Sequence, residues 1–163
     1  MNSNPYAPPK AFVADIAGQE ESPPLWNPNA AANWSLLFSP VFGAYLQMKN
    51  WEVLGEPEKA TAAKVWAIVA LAVLLGMPLL AVLVPGLQVL QSTSSFFGLI
   101  LLISWYVSNG RAQARYVKER FGKDYPRKGW GKPLLIAFAA TIGYFVAIGI
   151  LAALLVGITG HIR

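Results

Sequence analysis

The chain has 163 residues, of which 55% are hydrophobic and only 13% charged, and it holds 13 Lys and Arg against 8 Asp and Glu. That charged share is about half of what soluble domains carry, so the composition excludes an ordinary water-soluble fold and points to one integral membrane domain. Cysteine is absent, which excludes disulfides and thiolate catalysis.

Residues 1–27 read as a flexible Pro-rich tail, because Pro5, Pro8, Pro9, Pro23 and Pro24 break helices and no apolar period runs through them. No charged n-region precedes an apolar core there, so no cleavable signal peptide is expected. The "NPYAPPK" of the tail fits a solvated spacer better than a polyproline ligand. The first helix is expected over about 28–54, with Asn27 as N-cap, Pro28 in the first turn and Gly55 as the stop. Asn33, Ser35, Ser39 and Gln47 interrupt it, and Pro40 is expected to bend it. It either spans the bilayer or is partly inserted, with Phe38, Phe42 and Tyr45 covering its lipid side at i, i+4, i+7 spacing.

A second helix, about 57–84, opens on Pro57 with Glu56 and Glu58 at its positive end. Its apolar stretch from Val65 to Val84 has about the 20 residues that a crossing needs, and Pro78 is tolerated inside it. The uncharged "VPGLQ" ends it. The third helix, about 88–121, runs from "FFGLILLISWYV" into a basic extension that stops at Gly122. There Ala114, Val117 and Phe121 share one face, while Arg111, Arg115 and Lys118 share another. Arg115–Glu119 and Glu119–Lys123 are spaced to pair. A loop punctuated by Pro126, Gly129, Gly131 and Pro133 leads to a fourth helix, about 133–159. The expected fold is therefore all-α, an integral membrane four-helix bundle over 28–163 with three transmembrane helices and a kinked first one.

The stretch "RAQARYVKERFGKDYPRKGWGK", Arg111 to Lys132, holds eight of the 13 cations and only two acids, Glu119 and Asp124. Lys- and Arg-rich loops stay inside during insertion, so 108–133 is expected on the cytoplasmic side. The turn carrying Lys49, Lys59 and Lys64 then falls inside too. A spanning first helix would place the tail outside, and an interfacial one would place it inside. Trp51, Trp66, Trp105, Tyr106 and Trp130 would mark the inner headgroup level, with Trp26 and Trp34 at the outer end of the first helix. The cations Arg111, Arg115, Lys118, Arg127 and Lys128 are candidates for anionic headgroups, at about 1 kcal/mol each, or for an acidic cytoplasmic partner. Their confinement between apolar blocks argues against nucleic acid.

Enzyme chemistry is not expected. The apolar cores of the three spans hold no ionisable residue, the usual mark of proton relays and ion pathways, which argues against a secondary transporter acting alone. His161, the single histidine, has no neighbouring ligand, so no metal or cofactor is expected. Ser104, Ser108 and Thr141 have no evident base and are expected to bond helix backbone. The fourth helix carries two small-residue ladders, Ala139–Gly143–Ala147 and Gly149–Ala153–Gly157. Such spacing lets helices approach closely, so Gly149→Leu or Ala153→Leu is expected to destabilise packing within the chain or against a second copy.

Two stretches carry a resemblance. "NPYAPPKA" resembles an N-terminal motif of small inner-membrane proteins of Gram-negative bacteria. "LFSPVFGAYLQMKNWEVLGEPEKA" resembles a pattern in a group of bacterial multi-pass proteins, through Phe38, Pro40, Gly43, Asn50, Leu54, Gly55 and Ala60. The resemblance implies a bacterial inner membrane and a kinked first helix packed into the bundle, and carries over no catalytic residue. The expected role is a non-enzymatic accessory or scaffold acting through a membrane or cytoplasmic partner. Two alternatives are a channel or transporter subunit, with Asn33, Gln47, Gln88, Gln91, Ser94 and Ser95 lining a path, and an immunity protein against a membrane-active toxin.

Overall fold

A computed structural model describes residues 22–84 and 89–160. Among these the chain is all-helical: α1 Pro28–Leu37, α2 Pro40–Val53, α3 Pro57–Leu83, α4 Val89–Trp105, a π turn Tyr106–Gly110, α5 Arg111–Phe121 and α6 Gly131–Gly160. Most of the tail, Gln88 and His161 lie outside the described residues, as do the side chains of Gln91, Ser94 and Ser95.

The helix expected over 28–54 does not bend at Pro40; it breaks and folds back. Proline has no N–H to donate and disfavours helical backbone at the residue before it. Ser39 is accordingly extended, at φ 165° and ψ 164°, and α2 restarts with Pro40 in its first turn. Ser35 of α1 then lies against Gly43 of α2, so close that a Cβ on Gly43 would overlap its Oγ. Along one straight helix those residues would stand about 12 Å apart. The outer signals hold as expected. Asn27 Oδ1 accepts from the N–H groups of Asn29 and Ala30, and Gly55, at φ +71°, closes α2.

Both ends of this hairpin lie at one end of the molecule. Leu25 N–H donates to the Pro126 carbonyl (3.0 Å), and Lys128 N–H donates to the Leu25 carbonyl (2.9 Å). Trp26 therefore sits beside the basic loop, with its indole donating to the Gly129 carbonyl at 3.2 Å. It is not at the opposite end, where the spanning reading placed it.

The core is built on alanines of α3. Ala60, Ala63 and Ala70 are buried and Ala67 is half-buried, at 3–4–3 spacing on one face. Trp51 packs on Ala60 and Ala63, flanked by Met48, Leu54 and Tyr116. Trp105 packs with Ala32 and Ala44, flanked by Trp66, Ala67 and Leu102. Small side chains leave the volume that these two indoles fill, so Trp51 is 3% exposed and Trp105 is 1% exposed. Both are core residues rather than exposed rings.

Two helices, α3 and α6, are long and apolar enough to cross a membrane. At 17 residues, α4 is shorter than a crossing on its own, but the π turn carries it directly into α5, with Arg111 N–H bonding to the Tyr106 carbonyl. The expected first helix does not enter a four-helix bundle as one rod among the described residues, because α1 and α2 are a folded-back pair.

On α6 the least exposed positions are Leu134, Ala137, Thr141, Tyr144, Ile148 and Leu151, one stripe at 3–4 spacing. Tyr144 Oη donates across to the Leu74 carbonyl of α3 at 3.1 Å. The two expected ladders point elsewhere. Ala139, Ala147 and Ala153 are exposed, and a Cβ on Gly143, Gly149 or Gly157 would meet no atom within 4 Å. Ala139, Gly143, Ala147, Gly149 and Ala153 thus lie off the side of α6 on which Tyr144 meets α3. Gly149→Leu should consequently leave the melting temperature in detergent within a degree or two of the parent, since surface changes usually stay within about 0.5 kcal/mol. A clear loss there would place a partner on that face.

Candidate functional site

Three side-chain amides, Gln47, Asn50 and Gln113, are fully buried at 0% exposure between the hairpin and α5. Asn50 pairs with the backbone of Trp26 as a strand neighbour would: its Oδ1 accepts from Trp26 N–H at 3.0 Å, and its Nδ2 donates to the Trp26 carbonyl at 2.8 Å. The same Nδ2 donates to Gln113 Oε1 at 3.1 Å. Gln113 Nε2 donates to the Gln47 carbonyl at 2.9 Å, and Gln47 Nε2 reaches the Asn109 carbonyl at 3.4 Å. Buried amides are costly unless paired, and this chain of bonds fixes both ends of the hairpin against one turn of α5. Among the described residues, the buried atoms Gln47 Oε1 and Trp105 Nε1 have no hydrogen-bond partner. Sequence reading missed the network because its members come from three separate segments. The isolated signal was Gln113, a neutral amide on the otherwise apolar inner side of a basic helix.

A second cluster joins the α2–α3 turn to α5. Trp51 and Tyr116 meet edge to face at 5.0 Å. Lys59 Nζ lies 4.4 Å from the Tyr116 ring centre and 5.0 Å from that of Trp51, favourable positions for a cation. Glu56 accepts from Tyr116 Oη at 2.7 Å and from Lys59 at 3.1 Å, and Arg120 donates to Tyr116 Oη. The Tyr116 hydrogen bond first, then the Lys59 hydrogen bond, hold the Glu56 carboxyl below its ordinary 4.5. A lowered carboxyl contributes stability above its unfolded pKa and loses it as pH falls through the folded one. Melting temperature should drop on the acid side, and Tyr116→Phe should flatten that drop. An unchanged acid limb in Tyr116→Phe would remove Glu56 as its source.

The five expected headgroup cations separate into two groups. Arg111, Arg115 and Lys118 are exposed on the outer face of α5, while Val117 and Gln113 are buried on its inner face and Ala114 is half-buried. Arg127 and Lys128 belong to the loop beside the hairpin. Lys128 Nζ stands 4.4 Å over the Trp26 ring, and Arg127 lies 5.5 Å over Tyr125 and donates to the Lys123 carbonyl. No family model, curated protein or solved structure matches the chain. The site is therefore read from its own geometry. Among the described residues the ion pairs are Lys49–Glu52 and Lys59–Glu56, in place of the expected Arg115–Glu119 and Glu119–Lys123. The three α5 cations consequently point outward with no acid bound to them. Gln47, expected to line a path, is sealed in the core. Ser108 and Thr141 bond helix carbonyls, of Ser104 and Ala137 respectively, as expected. No three His, Cys, Asp or Glu side chains converge among the described residues.

Proposed function

We propose that this chain is a small non-enzymatic protein of a bacterial inner membrane, crossing it with α3, α4 and α6. In this reading it keeps 108–133 in the cytoplasm and works as a scaffold whose α5 face binds anionic headgroups. The observation that carries the proposal is where the apolar side chains point. Leu135, Ile136, Phe138, Phe145, Ile150 and Leu154 of α6 are all well exposed, as are Phe96, Leu99, Ile100 and Ile103 of α4. A contiguous apolar surface of that extent is unfavourable in water and natural in hydrocarbon. Among the described residues the cations lie at one end of these helices, which suits the inner leaflet and its anionic lipids.

A reporter fused after Lys123 should be active only in a cytoplasmic format; activity only in a periplasmic format would reverse the topology. The lipid role has its own test. Protein reconstituted in mixed phosphatidylglycerol and phosphatidylethanolamine should retain phosphatidylglycerol on purification. Arg111→Gln, Arg115→Gln and Lys118→Gln combined should retain markedly less, at about 1 kcal/mol per lost cation. Equal retention would leave the face to an acidic protein partner.

A further inference from the structure

The α1–α2 hairpin has a graded surface. At its open end, Asn29 of α1 and Glu52 and Val53 of α2 are exposed, with Lys49 paired to Glu52, and Asn33 is exposed on the middle turn of α1. At its closed end, Leu36 and Leu37 are 68% and 71% exposed, and Trp34, Phe38 and Phe42 run ring to ring around the turn at 6.0 and 5.4 Å. Tyr45, half exposed, stands between the two. The gradient follows position along the molecule. The open end is tied to the basic loop through Leu25, Trp26 and Asn50. Ala32 and Ala44 lie deeper, at the level of Trp66 and Trp105, where the apolar stretches of α3 and α4 meet their polar ends. Leu36 lies one further helical turn beyond Ala32, about 6 Å deeper.

Neither arm reaches across a bilayer. The 10 residues of α1 and the 14 of α2 extend about 15 and 21 Å, against roughly 30 Å of hydrocarbon. We propose that α1–α2 is a re-entrant wedge whose Leu36–Leu37–Phe38 tip enters the acyl chains of the leaflet on the basic side and returns. The lipid of that leaflet is its partner, and the chain entering Trp26 lies on the same side as the basic loop. This rests on the membrane-spanning reading above. The occupant follows from the exposed apolar and aromatic tip, which shares its character with the exposed side chains of α3 and α4, and from the charged pair at the open end, which suits the headgroup level. A wedge in one leaflet adds cross-section to that leaflet alone, which makes such elements sensitive to curvature and lipid composition.

The absence of cysteine allows a direct test in the full chain with single variants Asn29→Cys, Leu37→Cys, Lys123→Cys and Thr159→Cys in sealed vesicles of both orientations. A membrane-impermeant maleimide should label positions 29 and 123 from one face and position 159 from the other. Position 37 should label several-fold more slowly from either face, and a fluorophore attached there should be quenched by brominated acyl chains more strongly than one at 29. Labelling of 29 from the face of 159 would show a full crossing, and rapid labelling of 37 would show a hairpin lying in water; either overturns the wedge while leaving the spanning helices intact. Labelling of 123 and 159 from one face would instead overturn the spanning reading on which the wedge depends.

Discussion

Gly43→Val prevents the α1–α2 hairpin from closing. A Cβ at this position would overlap Ser35 Oγ and the edge of the Trp105 ring, with Trp105 Cζ2 at 2.8 Å. Neither neighbour gives way easily. Ser35 is held by its own bond to the Ala31 carbonyl at 2.8 Å, and Trp105 is a rigid indole that is 1% exposed. Overpacking a tight core costs about 1–3 kcal/mol and sometimes more, and the branched valine at a backbone-to-ring contact falls at the upper end, about 3 kcal/mol. Thermal melts in detergent, followed by tryptophan fluorescence, should show a large loss for Gly43→Val and a smaller one for Gly43→Ala. Trp105→Leu should restore part of the Gly43→Ala loss by vacating the space. A Gly43→Val protein that melts with the parent would mean that Ser35 and Trp105 do not meet at this glycine.

Asn50→Ala should cost a similar amount for a different reason. It removes no packing anchor, but it leaves Trp26 N–H, the Trp26 carbonyl and Gln113 Oε1 without the partners they have now. Each buried group left unsatisfied costs about 1–3 kcal/mol, so a loss of about 3 kcal/mol is expected after partial rehydration of the half-buried Trp26. Gln113→Ala should be strongly coupled to it, since the two amides share a bond and one network. The double variant should lose clearly less than the two single losses combined. Simple additivity would show that Asn50 and Gln113 act independently, and the hairpin would then be held by the Leu25 bridge and its aromatic packing.

The π turn explains why the network can form. Arg111 N–H bonds to the Tyr106 carbonyl, one residue further back than in an α-helix. The extra residue re-aims the faces of α5: Gln113 and Val117 face the hairpin while Arg111, Arg115 and Lys118 stay outside. Gly110 is buried within that turn, against the Tyr106 ring.

Much of this was legible in the sequence, because it depends on local chemistry. Asn27 caps α1, Pro28 and Pro57 open helices, and Gly55 and Gly122 end them at positive φ, all from the intrinsic geometry of those residues. The α5 faces followed from 3.6-residue periodicity, and the all-helical content followed from apolar run length, which marked three spans where two of the described helices are long and apolar enough to cross a membrane. Pro40 announced a disruption, but a bend and a reversal share the same local signal. What decided between them was distant: room at Gly43 for Ser35 and Trp105, and a partner for Trp26 at Asn50. The small-residue ladders of α6 misled for the converse reason. Spacing shows that a helix can be approached closely, and only the contact of Tyr144 with Leu74 of α3 shows where it is. The alanines of α3, inconspicuous in an apolar run, became the seam of the core. Local signals determined which segments are helical and marked the outer ends of the first helical segment and the start of α3. The tertiary structure alone decided which way the first of them returns, because reversing a chain depends on contacts between residues far apart in sequence.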